Sequence, residues 1–140
     1  MTERIESLKA GIVGAGAFAI AEFTTIVAQT VVSISLLKGV ISPAVLDWQL
    51  LLHLAIGAVS GFLFGVTYRY IIRDDRNSHL SEGAVLAFSL VRGLALIENN
   101  LVLTDLLSLL FFILQSIVCF AIARSILDLA IKRKLIRPFV

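Results

Sequence analysis

The sequence predicts an all-α, polytopic membrane protein with four transmembrane helices in a single domain spanning residues 1–140. Three observations lead there. The chain is 59% hydrophobic, with a mean hydropathy of +0.98. Only 16% of its residues are charged, against roughly 25% in an ordinary soluble domain. Its apolar residues fall into long runs separated by short polar turns. Disorder is excluded, because it requires low hydrophobicity and high net charge. A soluble globule is disfavoured, because so little polar surface does not cover a domain of 15.2 kDa.

The first span covers about residues 10–37. It exceeds the roughly 20 residues that cross a bilayer, so it must tilt or emerge at one end. The preceding stretch carries Glu3, Arg4, Glu6 and Lys9. That neutral balance does not fit a secretory signal, and the chain is read as starting near Met1. Ile5 and Leu8 are three apart, the spacing of an amphipathic helix lying at the membrane interface. Lys38, Gly39, Ser42 and Pro43 then form a turn, with Asp47 as N-cap of the next helix.

The second span covers about 48–72. Trp48 marks one interface, and Tyr68 and Tyr70 mark the other. A polar loop follows from Arg73 to His79. Asp74 and Asp75 stand between Arg73 and Arg76 and read as a solvated, self-neutralised loop. The sharper alternative is a partner-docking surface made with Arg69. Ser81 is the expected N-cap of the third span, about 82–98, with Glu82 favourably placed on the first-turn dipole. Glu98-Asn99-Asn100 makes the next turn. The fourth span covers about 103–131, and a tail with Lys132, Arg133, Lys134 and Arg137 closes the chain.

Four spans alternate sides, and the cations choose the orientation. With the N-terminus inside, the inner face holds Arg4, Lys9, Arg69, Arg73, Arg76, Arg124, Lys132, Arg133, Lys134 and Arg137. Only Lys38 lies outside, and Arg92 lies within a span. This positive-inside pattern puts both termini on the cytoplasmic side, or the stromal side in a plastid.

Three ionisable residues fall inside spans: Glu22, His53 and Arg92. A charge at a helix centre costs roughly 2.5–3.5 kcal/mol on the insertion scale. Arg92 therefore nearly cancels the apolar gain of the third span, which needs its neighbours to insert stably. Glu22 stands about 20 Å of helix rise beyond Lys9, and Arg92 about 17 Å beyond Ser81. His53 and Gln115 fall in the same layer. The expected arrangement is a Glu22–Arg92 ion pair, with His53 or Gln115 adding a hydrogen bond. Such a cluster serves either as packing glue or as a proton or ion site.

Gly57, Gly61 and Gly65 repeat every fourth residue and form a face that lets another backbone approach closely. Span one, span four or another protein can supply that backbone. The stretch Gly11 to Ala19 has the outline of a dinucleotide fingerprint, with Gly14, Gly16 and Ala19 in the GxGxxA positions. It lacks the preceding strand and the later acid, so it reads as a small-residue helix face.

Cys119 is the single cysteine, so no intrachain disulfide forms, and it reads as a buried inert thiol. No catalytic residue, metal site or cofactor is expected. A net charge of +2 without aromatic interleaving argues against nucleic acid.

The stretch from Gly57 to Ala95, with GxxxGxLFGxTYRY, a short polar loop and GxVLAFxLVRGLA, resembles a family of small membrane proteins of cyanobacteria and chloroplasts. The resemblance implies a photosynthetic setting and a thylakoid or plasma-membrane address. It implies no activity, substrate or catalytic residue. Small multidrug-resistance transporters are similar in packing four spans and one early glutamate into a short chain. This chain departs from them in its longer middle loop and in Arg92. Small fluoride channels share a glycine-rich segment ending in Arg-Tyr, which Gly61, Gly65, Arg69 and Tyr70 imitate in the wrong span.

The expected role is a non-enzymatic, helix-packing subunit or assembly factor of a larger membrane complex. Its partners are then the lipid bilayer and other membrane subunits or itself. The alternative is a small homo-oligomeric transporter or channel using Glu22 and Arg92 on a small-molecule or ion substrate.

Overall fold

The computed structural model describes residues 2–37, 48–72, 78–98 and 106–137. These form four α-helices: α1 (Thr2–Leu37), α2 (Trp48–Ile71), α3 (Ser78–Glu98) and α4 (Leu106–Lys132). The turn containing Pro43 and Asp47, the loop residues Arg73, Asp74, Asp75 and Arg76, and the turn after Glu98 lie outside the described residues.

Two boundaries differ from expectation. Residues 2–10 are not a separate interfacial helix but the first turns of α1. Ser7 and Ala10 are buried there, so this stretch packs on the bundle and does not lie flat on a surface. α3 starts at Ser78, so Ser81 is a buried residue within the helix and not its N-cap. The Ser-His-Leu that precedes it holds no Gly or Pro to stop the helix from starting a turn earlier.

α1, α2 and α4 are long and apolar enough to cross a membrane, over Thr2–Val32, Leu50–Ile71 and Leu109–Lys132. α1 is about 54 Å long at 1.5 Å per residue, well beyond a hydrocarbon core of about 30 Å. α3 is about 31 Å long. It carries Glu82, Arg92 and Glu98.

α1 packs along α2 and also against α4, and α3 packs mainly on α4. α1 and α3 lie on opposite sides of the bundle, and their backbones do not meet. The α1–α2 contact is the closest because small residues line it. A Cβ on Gly61 would sit 2.5 Å from Phe18 Cβ and 2.7 Å from the Gly14 carbonyl oxygen. One on Gly65 would strike the Ala10 carbonyl oxygen. The glycine face of α2 is therefore occupied by α1, and Gly14 of the small-residue face is its counterpart. Gly16 faces open space.

Every helix contributes an aromatic ring to the centre. Phe120 of α4 lies 4.5 Å from Phe18 of α1, 5.1 Å from Phe64 of α2 and 5.8 Å from Phe88 of α3, centroid to centroid. Phe64, Phe120 and Ala123 are fully buried. The outward faces carry the opposite pattern to a soluble bundle: Ile20, Phe23, Val59, Leu63, Val91 and Leu114 are all exposed. Such a surface suits hydrocarbon, in which burial of apolar area gives no net drive. Cohesion between the helices then rests on close packing and polar contacts.

The first turns of α1 and the stretch after α4 meet at one end of the bundle. Arg69, at the last turn of α2, is 1% exposed. Its Nε donates to the Arg137 carbonyl oxygen at 2.9 Å, and its Nη1 donates to the Glu3 carbonyl oxygen at 3.0 Å and to Ser7 Oγ at 2.5 Å. Its Nη2 pairs with the Glu3 carboxylate. The Arg137 amide donates to Glu6 Oε2 at 3.1 Å. Nearby, Tyr68 Oη donates to Asp128 Oδ1 at 2.6 Å.

Candidate functional site

Glu22 sits in the middle of α1 with its side chain 4% exposed. Side chains on a helix lean toward its N-terminus. The Glu22 carboxylate therefore lies back over the preceding turn, opposite Gly57 of α2 rather than further along. A Cβ on Gly57 would collide with Glu22 Oε2. Glycine at 57 is thus what leaves room for the acid between α1 and α2.

Glu22 Oε1 accepts from Arg92 Nη2 at 2.5 Å and lies 3.2 Å from His53 Nε2. Arg92 Nη2 also faces the His53 carbonyl oxygen at 3.4 Å. The Arg92 guanidinium carbon is 5.4 Å from the centroid of Phe18, within range of a cation–π contact. Arg92 comes from α3, His53 from α2 and Glu22 from α1. Three helices are therefore tied at one point, and the ion pair is sealed: the Arg92 side chain is 5% exposed. His53 is partly open, with its side chain 35% exposed.

The cluster is incompletely satisfied. Glu22 Oε2 is buried and has no hydrogen-bond partner among the described residues. Both donors reach the same oxygen, and the other rests against the Gly57 backbone. A buried acceptor left unpaired costs about 1–3 kcal/mol. The ion pair offsets the burial of both charges, and removing either partner alone leaves an uncompensated charge.

Gln115 does not join this cluster. Its Oε1 accepts from Gln29 Nε2 at 2.9 Å, and its Nε2 donates to Thr25 Oγ1 at 3.2 Å. Thr25 Oγ1 in turn donates to the Glu22 carbonyl oxygen at 2.7 Å. Gln115 has the right depth but faces the next turn of α1, because α4 packs directly on α1 while Arg92 reaches in from the far side. Gln29 and Thr25, which sequence reasoning passed over, are its partners. They border a cleft of about 340 Å³ between α1 and α4 that is also lined by Ala28, Phe111 and Leu114.

Arg69 is not part of a docking surface. Its guanidinium is fully buried and bonded to the N-terminal turns and the C-terminal tail. Cation counting treats every Arg near a helix end as solvated, which hid this role. Arg73, Asp74, Asp75 and Arg76 lie outside the described residues. Among the described residues, no group of His, Cys, Asp and Glu is arranged to hold a metal ion.

Comparison with known proteins finds no matching family model, no matching curated protein and no matching solved structure.

Proposed function

We propose that the chain is a four-span integral membrane protein with both termini on the cytoplasmic or stromal side. We further propose that it acts as a helix-packing subunit or assembly factor of a larger, photosynthetic membrane complex. The observation that carries this reading is the sealed Glu22–Arg92 pair. Its charges neutralise each other inside the bundle and fix α1, α2 and α3 in one arrangement. The bundle holds a rigid form while its apolar exterior is offered to the surroundings. The exposed apolar surface of α2 and α3, including Val59 and Val91, is then available to neighbouring helices.

The test is gentle solubilisation of the tagged native protein, a native gel, and mass spectrometry of what comigrates. Comigration with a large membrane complex supports the reading and names the complex. Migration as a small homo-oligomer overturns it.

One observation favours a second reading, a small proton- or ion-coupled transporter. Glu22 Oε2 is buried without a partner, and the partly exposed His53 contacts the same carboxylate. An unsatisfied acid in contact with a partly exposed imidazole has the composition of a proton site. Under that reading Glu22→Gln abolishes flux in liposomes while leaving insertion intact. Without flux in the wild type, this second reading falls.

A further inference from the structure

We propose that the end of α4, with its following turn, is a binding surface for the headgroups of anionic lipids. The surface consists of Lys132, Arg133, Lys134 and the side chain of Arg137, with Arg4 on the first turn of α1 at the same end. The inference rests on reading α1, α2 and α4 as membrane-crossing and is independent of the subunit role.

The backbone there is built and held. The Leu135 amide donates to the Ala130 carbonyl oxygen at 3.0 Å, and the Lys134 amide donates to that of Ile131 at 2.9 Å. Lys134 has φ 58°. This is a Schellman cap, which stops the helix and turns the chain back. Ile136 then inserts into the core at 1% exposed, and both the amide and the carbonyl of Arg137 are bonded to the body. The cations therefore project from a fixed frame and not from a loose tail.

Among the described residues, no acid forms an ion pair with these cations. The nearby acids are each engaged: Glu3 with Arg69, Glu6 with Lys9, and Asp128 with Tyr68 and Arg124. The side chains of Arg4, Lys132, Arg133, Lys134 and Arg137 are exposed and have no ion-pair partner among the described residues. A surplus of positive charge is thus concentrated at one end of a chain whose net charge is only +2.

Position selects the occupant. The candidate membrane-crossing segment of α4 ends at Lys132, so the next residues stand at headgroup level. Leu135, among the cations, is 64% exposed. A leucine there is stable in contact with acyl chains while its neighbours meet phosphate or sulfonate groups. An acidic protein segment satisfies the charges but leaves Leu135 in water.

The test uses the full chain in a neutral maltoside detergent, mixed with equal amounts of dioleoyl phosphatidylglycerol and dioleoyl phosphatidylcholine, and read by native mass spectrometry. The wild type should retain phosphatidylglycerol at least tenfold over phosphatidylcholine. One charge near the surface is worth up to about fivefold, so the variant carrying Lys132→Gln, Arg133→Gln and Lys134→Gln should fall to parity. If that variant does not fold, as judged by its helical circular dichroism, Arg133→Gln alone and a sodium chloride titration of the wild type replace it. Both should weaken the preference. Equal retention of the two lipids by the wild type overturns the proposal, as does an undiminished preference in the folded variant. So does a preference unchanged by both Arg133→Gln and salt. Displacement of the lipid by millimolar inorganic phosphate or by a micromolar polyglutamate peptide also overturns it, assigning the surface to a free anion or an acidic protein.

Discussion

Arg92 Nη2 lies 2.5 Å from Glu22 Oε1, and this contact joins α3 to α1 across a bundle in which those two backbones do not otherwise meet. Arg92, a charge that would weaken α3 as a membrane segment, is also the group that fastens α3 to the other helices.

The first prediction concerns that pair. Glu22→Ala or Arg92→Ala alone leaves one buried charge unpaired and should destabilise the bundle by about 3–5 kcal/mol. Replacing both, as Glu22→Ala with Arg92→Ala, removes the charges together and should cost clearly less than the sum of the single changes. Reversible unfolding in mixed micelles measures this. Additive losses would mean that the two side chains do not act on each other.

The second prediction concerns the α1–α2 contact. Gly61→Ala forces a methyl group against Phe18 and the Gly14 carbonyl and should cost about 1–3 kcal/mol by overpacking. Gly16→Ala meets open space. It should be neutral or stabilise by up to about 1 kcal/mol through helix propensity. Thermal denaturation of both variants in one detergent separates a packing role from a general intolerance of alanine.

Depth along the chain was legible and direction around each helix was not. Apolar runs bounded by Pro43, the Arg73–Asn77 segment and the Glu98–Asn100 turn locate the four helices, because lipid penalises polar backbone and side chains strongly. Counting 1.5 Å per residue placed Glu22, Arg92 and His53 at one level. The same count placed Gln115 there too, although it faces Gln29 and Thr25. Arg69 shows the other limit. Its partners Glu3 and Arg137 are more than sixty residues away in sequence, and no local pattern distinguishes a clasping arginine from a solvated one.

The third prediction follows from that clasp. Arg69→Gln removes a guanidinium that holds the Glu3 backbone, Ser7 and the Arg137 carbonyl together. Residues 2–7 and 133–137 should lose protection together in hydrogen exchange, while amides around Phe64 and Phe120 remain slow. Loss of protection at only one terminus would show that the two are not held through Arg69.

The fourth prediction concerns the turn after α4. Lys134 adopts φ 58°, a region in which glycine carries no Cβ penalty. Lys134→Gly should therefore stabilise the protein by up to about 1 kcal/mol, despite the greater freedom glycine gives the unfolded chain. A higher midpoint in thermal denaturation is the expected reading. A lower one would mean that the Lys134 side chain contributes more than its backbone geometry costs.

The last prediction joins the glycine face to the acid. Gly57→Ala places a methyl group where Glu22 Oε2 now lies, so it must displace the carboxylate or push α2 from α1. The displaced acid loses its line to Arg92, and the penalty should approach that of removing Glu22 itself, about 3 kcal/mol. In the Glu22→Ala background the nearest remaining group is the flexible end of Arg92, whose Nη2 lies 3.1 Å from the new methyl position, and Gly57→Ala should add little. A double-mutant cycle on folding free energy reads the coupling directly. Full additivity would mean that the methyl group fits beside the acid, and Gly57 would then matter only for the approach of the two backbones.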